Sequence, residues 1–173
     1  PSFWYKCLEN CPDIMINEKA KEILKKLKNI KCEPEENGNF KLIFEFEAND
    51  YFSNDKLVRE FILDDDYDIK EMKSDEINWK SDEVNPTIEI KQKKIKNKRT
   101  KQIKTVTKRE KVPSFFSSFK NMVKKEGADK DKDKEKDDED SEDEGEEEMT
   151  IEDEYDQALQ FKEEIIPYAI EYY

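Results

Sequence analysis

The chain has 173 residues, 45% of them charged and 34% hydrophobic, with a formal net charge of −13. It contains no histidine, which removes histidine-based triads, histidine zinc ligands and the usual neutral-pH general base. The three cysteines lack CxxC spacing, which argues against a disulfide framework or a zinc site and for a reducing compartment.

Ser2–Cys11 places Phe3, Trp4, Cys7, Leu8 and Cys11 on one helical stripe, and Pro12 ends it. Cys7 and Cys11, one turn apart, read as buried small hydrophobes rather than a redox pair. Asn17 is the expected N-cap of a second helix, with Ala20, Ile23, Leu24, Leu27 and Ile30 as its apolar face. Ile30–Glu33 reads as a short strand, and Asn37-Gly38 as the turn before Phe40–Glu47. That segment alternates Phe40, Leu42, Phe44 and Phe46 with Lys41, Ile43, Glu45 and Glu47, the pattern of a strand with one buried face. Leu57–Leu63 is a further strand, Asp64–Asp75 an acidic loop, and Ile77–Trp79 a short edge strand. The Asp64-x-Asp66-x-Asp68 spacing resembles a calcium loop, but Ile69 stands where such a loop needs glycine, so no metal is expected.

Thr87–Lys96 and Ile103–Lys111 alternate β-branched residues with lysines on either side of Asn97-Lys98-Arg99-Thr100. This predicts a basic β-hairpin, within residues 84–111, that projects from the body because it has little apolar surface to bury. From Lys91 to Lys111 there are eleven lysines and arginines and one acid. Ser114–Glu126 is expected to be a helix with Phe115, Phe116, Phe119, Met122 and Val123 as its apolar face. Asp129–Glu148 carries fourteen acidic side chains, four lysines and nothing apolar, so it is expected to be a disordered acidic loop within 127–149. Thr150 caps a closing helical segment through Tyr155, Ala158, Leu159, Phe161, Ile165 and Ile166, which Pro167 kinks or breaks. The sum is an α+β fold: a four-stranded antiparallel sheet with helices packed on one face, the hairpin and the acidic insertion.

Charge is segregated along this order. Residues 1–83 hold 13 basic and 21 acidic side chains, residues 84–126 hold 14 and 3, and residues 127–173 hold 5 and 21. No apolar run approaches the length of a membrane span, and no signal-peptide pattern is present. Pro1, where an initiator methionine would stand, predicts a piece of a longer chain.

Several segments resemble nucleosome assembly proteins, in the order that family has them. PSFWYKCLEN is similar to the start of their globular domain, FEFEANDYFSNDKL to a strand and Asn-x-Tyr-Phe-x-Asn signature, EINWK to an Ile-x-Trp strand, PSFFSSF to a helix start, and EEIIPYAIEYY to a closing segment. The resemblance covers residues 1–126 and 150–173, with 127–149 similar in composition alone. It implies one histone-binding domain over 1–173 and a non-enzymatic histone chaperone without cofactor, moving between nucleus and cytoplasm. The implied partners are core histones and nuclear-import receptors, and the full-length protein is expected to form a homodimer through a helix preceding Phe3-Trp4.

A histone chaperone needs carboxylates facing the basic histones. The candidates are Glu152, Asp153, Asp156, Glu163 and Glu164 on the closing helices, with Glu45 and Glu47 on the polar face of the sheet. Asp137, Asp138, Glu139, Asp140, Glu142, Asp143, Glu144, Glu146, Glu147 and Glu148 form an acidic tether. Ser141 and Thr150, each followed by acids, are candidates for an acid-directed kinase. Lys93, Lys94, Lys96, Lys98, Arg99 and Lys101 form a candidate nuclear-import signal, with self-association and non-specific DNA contact as other readings of the hairpin. Two further classes compete with the chaperone: an acidic adaptor or phosphatase inhibitor of the SET type, and a nucleic-acid-binding module led by the hairpin.

Overall fold

Four strands of six to eight residues and one two-residue strand form the sheet that organises the molecule. The computed structural model describes residues 2–96, 99–124 and 149–173. In chain order these form α1 (Phe3–Glu9), α2 (Glu18–Leu24), β1 (Leu27–Pro34), β2 (Phe40–Phe46), β3 (Lys56–Leu63), β4 (Ile69–Ser74), β5 (Ile88–Lys96), β6 (Ile103–Lys111), a 3₁₀ turn at Phe115–Ser118, and β7 (Met122–Val123). The closing elements are α3 (Ile151–Gln160), a π turn at Phe161–Ile165, and α4 (Ala169–Tyr172). The sheet is antiparallel in the order β1-β2-β3-β4-β7, and β5-β6 form a separate hairpin. This is the expected α+β architecture, with five strands in the sheet rather than four.

One face of the sheet is the core. Phe40, Leu42, Phe44 and Phe46 of β2 are buried, with Lys41, Ile43 and Glu45 part-exposed between them. Phe40 stacks on Phe61 of β3 at 4.9 Å, and Phe44 meets Phe115, Phe119 and Phe161 edge-on at 5.5–5.7 Å. A second aromatic cluster joins Phe46 to Phe52, Phe52 to Trp79, and Trp79 to Phe116, at 5.0–5.5 Å. Edge-on rings of this kind add roughly 0.5–1.5 kcal/mol per pair beyond area burial. The aromatic residues of the FEFEANDYFSN, EINWK and PSFFSSF motifs therefore converge on the sheet's core face, while Phe3 packs on Trp4 and Tyr173.

Four expected elements differ, for identifiable reasons. The second helix stops at Leu24, and Leu27 and Ile30 belong to β1. A register shift between Leu27 and Asn29 against β2 puts Leu27 and Ile30, three apart, on the same buried face, which mimics helical spacing. Within the expected loop Asp64–Asp75, residues 69–74 are β4. The irregularity at Ile62/Leu63 pairs Leu63 with Ile69 and Ile62 with Glu71, so that Ile69 and Met72 face the core without strict alternation. Ile77–Trp79 is no strand and contributes only the isolated bridge of Trp79 to Phe52.

Nor is Ser114–Glu126 a helix. Ser114 caps a short 3₁₀ turn, Phe119 leaves it at φ −85° and ψ 71°, and Met122–Val123 pair with Met72 and Glu71. The open edge of β4 offers backbone partners that a surface helix would leave unused, and this pairing overrides local periodicity. Lys125 and Glu126 lie outside the described residues.

Other expectations survive at atomic level. Asn37 and Gly38 adopt positive φ (59° and 81°) in the turn between β1 and β2. The Asp64 carboxylate accepts the backbone N–H groups of Asp66 (2.9 Å) and Asp68 (3.0 Å), so it ties off a turn. Cys7 and Cys11 are buried and unpaired by disulfide, and their thiols donate to the carbonyls of Ala169 (3.0 Å) and Cys7 (3.2 Å). Burial pushes the Cys11 thiol up to about 11.

Candidate functional site

The closing helix begins with a capping box. Thr150 Oγ1 accepts from the Asp153 N–H (3.2 Å), and the Asp153 carboxylate accepts from the Thr150 N–H (2.9 Å) and hydroxyl (2.8 Å). These bonds hold the Asp153 carboxyl below its ordinary range. Asp153 is therefore occupied in starting the helix, and the hydroxyl of Thr150, the described phosphorylation candidate, is already engaged. Ser141 and the acidic tether from Asp137 to Glu148 lie outside the described residues.

Helix α3 buries Ile151, Glu154 and Ala158, and the π turn buries Phe161 and Ile165. The π turn closes with the Ile166 N–H donating to the Phe161 carbonyl at 3.0 Å, just before Pro167. On the outer side Glu152, Asp156, Glu163 and Glu164 are exposed. Glu152 comes within 3.7 Å of Lys124. Asp156, Glu163 and Glu164 have no ion-pair partner among the described residues.

Glu154 was not singled out by its sequence, and it is the best-held acid of the segment. Its carboxylate lies 2.8 Å from Arg59 Nη2, with both side chains 2% exposed. Arg59 sits on the core face of β3 between Leu57 and Phe61. Its guanidinium lies over the rings of Phe61 (5.1 Å) and Phe119 (5.8 Å), within 3.1 Å of Met72 Sδ. Burial lowers the Arg59 pKa, and the Glu154 carboxylate pulls it back up. The pair pins α3 across the middle of the sheet. Its signal was available in position rather than residue type: a carboxylate on the apolar stripe of a helix, and an arginine at an inward position of a strand.

The sheet acids sit elsewhere. Glu45 lies on the face of β2 opposite Phe44 and pairs with Lys31 at 2.6 Å, which lowers its carboxyl pKa. The same open face pairs Lys41 with Glu35 (2.5 Å) and Glu60 (3.4 Å), and Lys73 with Glu71 (3.8 Å), so its charge is largely compensated. Glu47 lines a groove of about 580 Å³ with Phe3, Trp4, Tyr51, Lys25 and Lys28. The fold does not bring Glu45 and Glu47 together with the closing-helix acids.

The hairpin is clamped at its base by α2. Asn17 caps the helix through Oδ1, which accepts from the Ala20 N–H at 2.9 Å. Its Nδ2 donates to the carbonyls of Pro86 (2.8 Å) and Pro113 (2.9 Å), one at each end of the hairpin. The inner half of the hairpin carries its own counter-charges. Lys91 pairs with Glu110 (2.5 Å) and Glu89 (3.6 Å), Lys108 with Glu110 (3.6 Å), and Arg109 with Asp82. The outer half does not: Lys93, Lys94, Lys96, Lys101 and Lys104 are exposed and have no carboxylate partner among the described residues. Lys98 lies outside them. Among the described residues no cluster of acids or thiols is arranged to hold a metal ion.

The family model described as "Nucleosome assembly protein (NAP)" matches residues 1–173. Nucleosome assembly protein 1 of Candida albicans is 37% identical over 125 residues, covering 68% of this chain and 29% of that protein. Nucleosome assembly protein 1;1 of Arabidopsis thaliana is 36% identical over 178 residues, covering 100% of this chain and 45% of that protein. The chain thus spans less than half the length of these curated relatives. Among solved structures, Nucleosome Assembly Protein 1 from Plasmodium knowlesi superimposes with a TM-score of 0.69 at 28% identity, over 99% of this chain and 66% of that one. With every residue of the chain inside the family match and the architecture shared with a solved relative, this chain belongs to the nucleosome assembly protein family.

Proposed function

We propose that this chain is the single histone-binding domain, residues 1–173, of a non-enzymatic histone chaperone. Family membership supports that role, and the observation that carries it is the row of exposed acids on the closing helices. Asp156, Glu163 and Glu164 are unpaired among the described residues, and they stand on an element held rigidly to the sheet by Arg59–Glu154. Core histones are strongly basic and aggregate on DNA when their charge is unshielded. A rigid acidic face occupies their lysines and arginines, and releases them where wrapping in DNA is more favourable. Individual exposed ion pairs contribute roughly 0–1 kcal/mol, so affinity comes from their number and from the added negative charge of Asp137–Glu148. Glu45 and Glu47 rank below the helix acids, because Glu45 has its own lysine and Glu47 has lysines beside it in its groove. In the longer protein the domain is expected to act as a homodimer.

The test is to mix the chain with core histones and, separately, with duplex DNA at physiological salt. Stable histone complexes, little DNA binding and relief of histone–DNA aggregation are expected. Deleting Asp129–Glu148 should weaken histone binding moderately, and Asp156→Asn/Glu163→Gln/Glu164→Gln should weaken it more. Loss of binding on the deletion alone, with no effect of the helix substitutions, would reverse this order. DNA retention without histone binding would refute the chaperone reading in favour of a nucleic-acid-binding module, and phosphatase inhibition without histone selectivity would favour the SET-type adaptor.

A second reading concerns the hairpin. The unpaired lysines of its outer half include Lys93, Lys94, Lys96 and Lys101, four of the residues in the basic import motif. We assign the hairpin to nuclear-import receptors, consistent with a protein that moves between nucleus and cytoplasm.

A further inference from the structure

The strand register divides the import motif. Residues paired across an antiparallel ribbon share a face, and neighbours in sequence point to opposite faces. Lys93 pairs with Val106 and Ile95 with Lys104, so these four share one face of the outer hairpin. Lys94 pairs with Thr105 and Lys96 with Ile103 on the other. The first face is a checkerboard, two lysines on one diagonal and two β-branched residues on the other, and both strands contribute to it. Ile95 is 50% exposed and Val106 43% exposed. The second face continues inward to Ile88 and Ile90, which are half-buried, and Ile88 lines a groove with Met15 and Pro113 beside the body. On the outer ribbon the described residues of both faces are exposed, Ile103 of the second face to 63%, and the first face differs in setting two aliphatic side chains between its two lysines.

Resting on the import reading, we infer that the receptor reads this folded face, Lys93, Ile95, Lys104 and Val106, rather than residues 93–101 as a single extended strand. A strand reading would require Lys93–Lys96 to be peeled from Ile103–Val106, four paired positions. The folded face is ready as it stands, and it includes Lys104 from outside the linear motif. Two lysines without counter-ions flanking two exposed aliphatic side chains call for a complementary surface of definite chemistry: an apolar pocket rimmed by carboxylates on a protein. A phosphate backbone complements the lysines and leaves Ile95 and Val106 in water.

The experiment is import of the full chain, fused to a fluorescent cargo too large to diffuse, into nuclei of permeabilised cells supplied with cytosol. Ile95→Ser/Val106→Ser leaves every charge in place, and is expected to reduce nuclear accumulation by roughly tenfold through the loss of two apolar anchors. Ile103→Ser, the same change on the opposite face, should import like the unsubstituted chain. Val106→Pro breaks the ribbon while leaving Lys93–Lys101 intact in sequence, and should reduce import at least as much. Full import of Val106→Pro, or of the Ile95/Val106 variant, overturns the folded-face inference and leaves the import reading standing. Replacing Lys93, Lys94, Lys96, Lys101 and Lys104 together with alanine tests that reading separately: undiminished import of this variant sinks both. Capture of the hairpin by duplex DNA that the Ile95/Val106 variant does not weaken would identify a polyanion site and overturn the inference as well.

Discussion

Replacing Glu154 with alanine leaves the Arg59 guanidinium charged, 2% exposed and without its carboxylate. Arg59 Nε has no hydrogen-bond partner even in the intact chain, so the side chain depends on Nη2 and on the nearby rings of Phe61 and Phe119. Breaking a buried pair by removing one partner costs about 3–5 kcal/mol, because the remaining charge cannot reach water. Domains of this size are stable by roughly 5–15 kcal/mol, so Glu154→Ala should remove a large share of the total and lower Tm by about 6–20 °C. Urea unfolding followed by tryptophan fluorescence measures it, since Trp79 sits in the aromatic cluster with Phe52 and Phe116. The matched control is Arg59→Met/Glu154→Leu, which removes both charges and keeps most of the volume. It should be more stable than Glu154→Ala, because apolar replacement of a buried pair is often neutral or favourable. A loss below about 1 kcal/mol for Glu154→Ala, or a double variant weaker than the single, would refute the picture of a desolvated pair pinning α3.

Asn17→Asp retains the capping oxygen of α2 and replaces the donor that holds Pro86 and Pro113, so it should cost roughly 1–3 kcal/mol and speed amide exchange at Val112, with the helix intact by circular dichroism. Unchanged exchange at Val112 would count against the clamp. The Asp153 carboxyl is held below its unfolded value, so its contribution is present above the unfolded pKa and is lost as pH falls through the lower folded one. Thr150→Val should move the Asp153 titration, followed by NMR, up toward the ordinary carboxylate range, and a fixed midpoint would disprove the link. Cys11, pushed up to about 11, stays protonated at pH 8 and should react with a disulfide reagent only as fast as the domain unfolds, while half-buried Cys32 reacts earlier. Rapid native-state labelling of Cys11 would contradict its burial.

Local pattern was a good guide wherever an element buries one clean face. Phe40–Phe46 alternates because β2 has a neighbour on each side and a core on one face, and the structure follows that pattern residue for residue. Pattern failed at the bulges. An extra residue in β1 near Lys28, and another in β4 near Lys70, change the spacing of inward residues from two to three. Three is also a helical spacing, so Leu27 and Ile30 read as helix and Ile69 and Met72 as nothing regular. Met122–Val123 could not be read locally either, since a two-residue strand exists only because β4 has an open edge. The same limit governs the functional side chains. The Thr150 and Asn17 caps follow from residue type and neighbours a few positions away. The second role of Asn17 depends on Pro86 and Pro113, 69 and 96 positions distant.

Charge shows the difference between sequence and fold most directly. Counting residues divides the chain into an acidic part, a basic part and a second acidic part. Folding cancels much of that charge near the body: Lys31, Lys41 and Lys73 meet acids on the open sheet face, and Glu89, Glu110 and Asp82 meet the lysines and arginine of the inner hairpin. Among the described residues, unpaired negative charge remains on the closing helices and in the turn at Asp64–Asp68, and unpaired positive charge on the outer hairpin. Exposed charges more than about 8 Å apart are largely screened at physiological salt, so each of these places acts chiefly on what touches it. A basic partner and an acidic partner can therefore be held by one domain without competing for the same side chains. Histone binding should respond to substitutions at Asp156, Glu163 and Glu164 and ignore those at Lys93 and Lys104, and import should do the reverse.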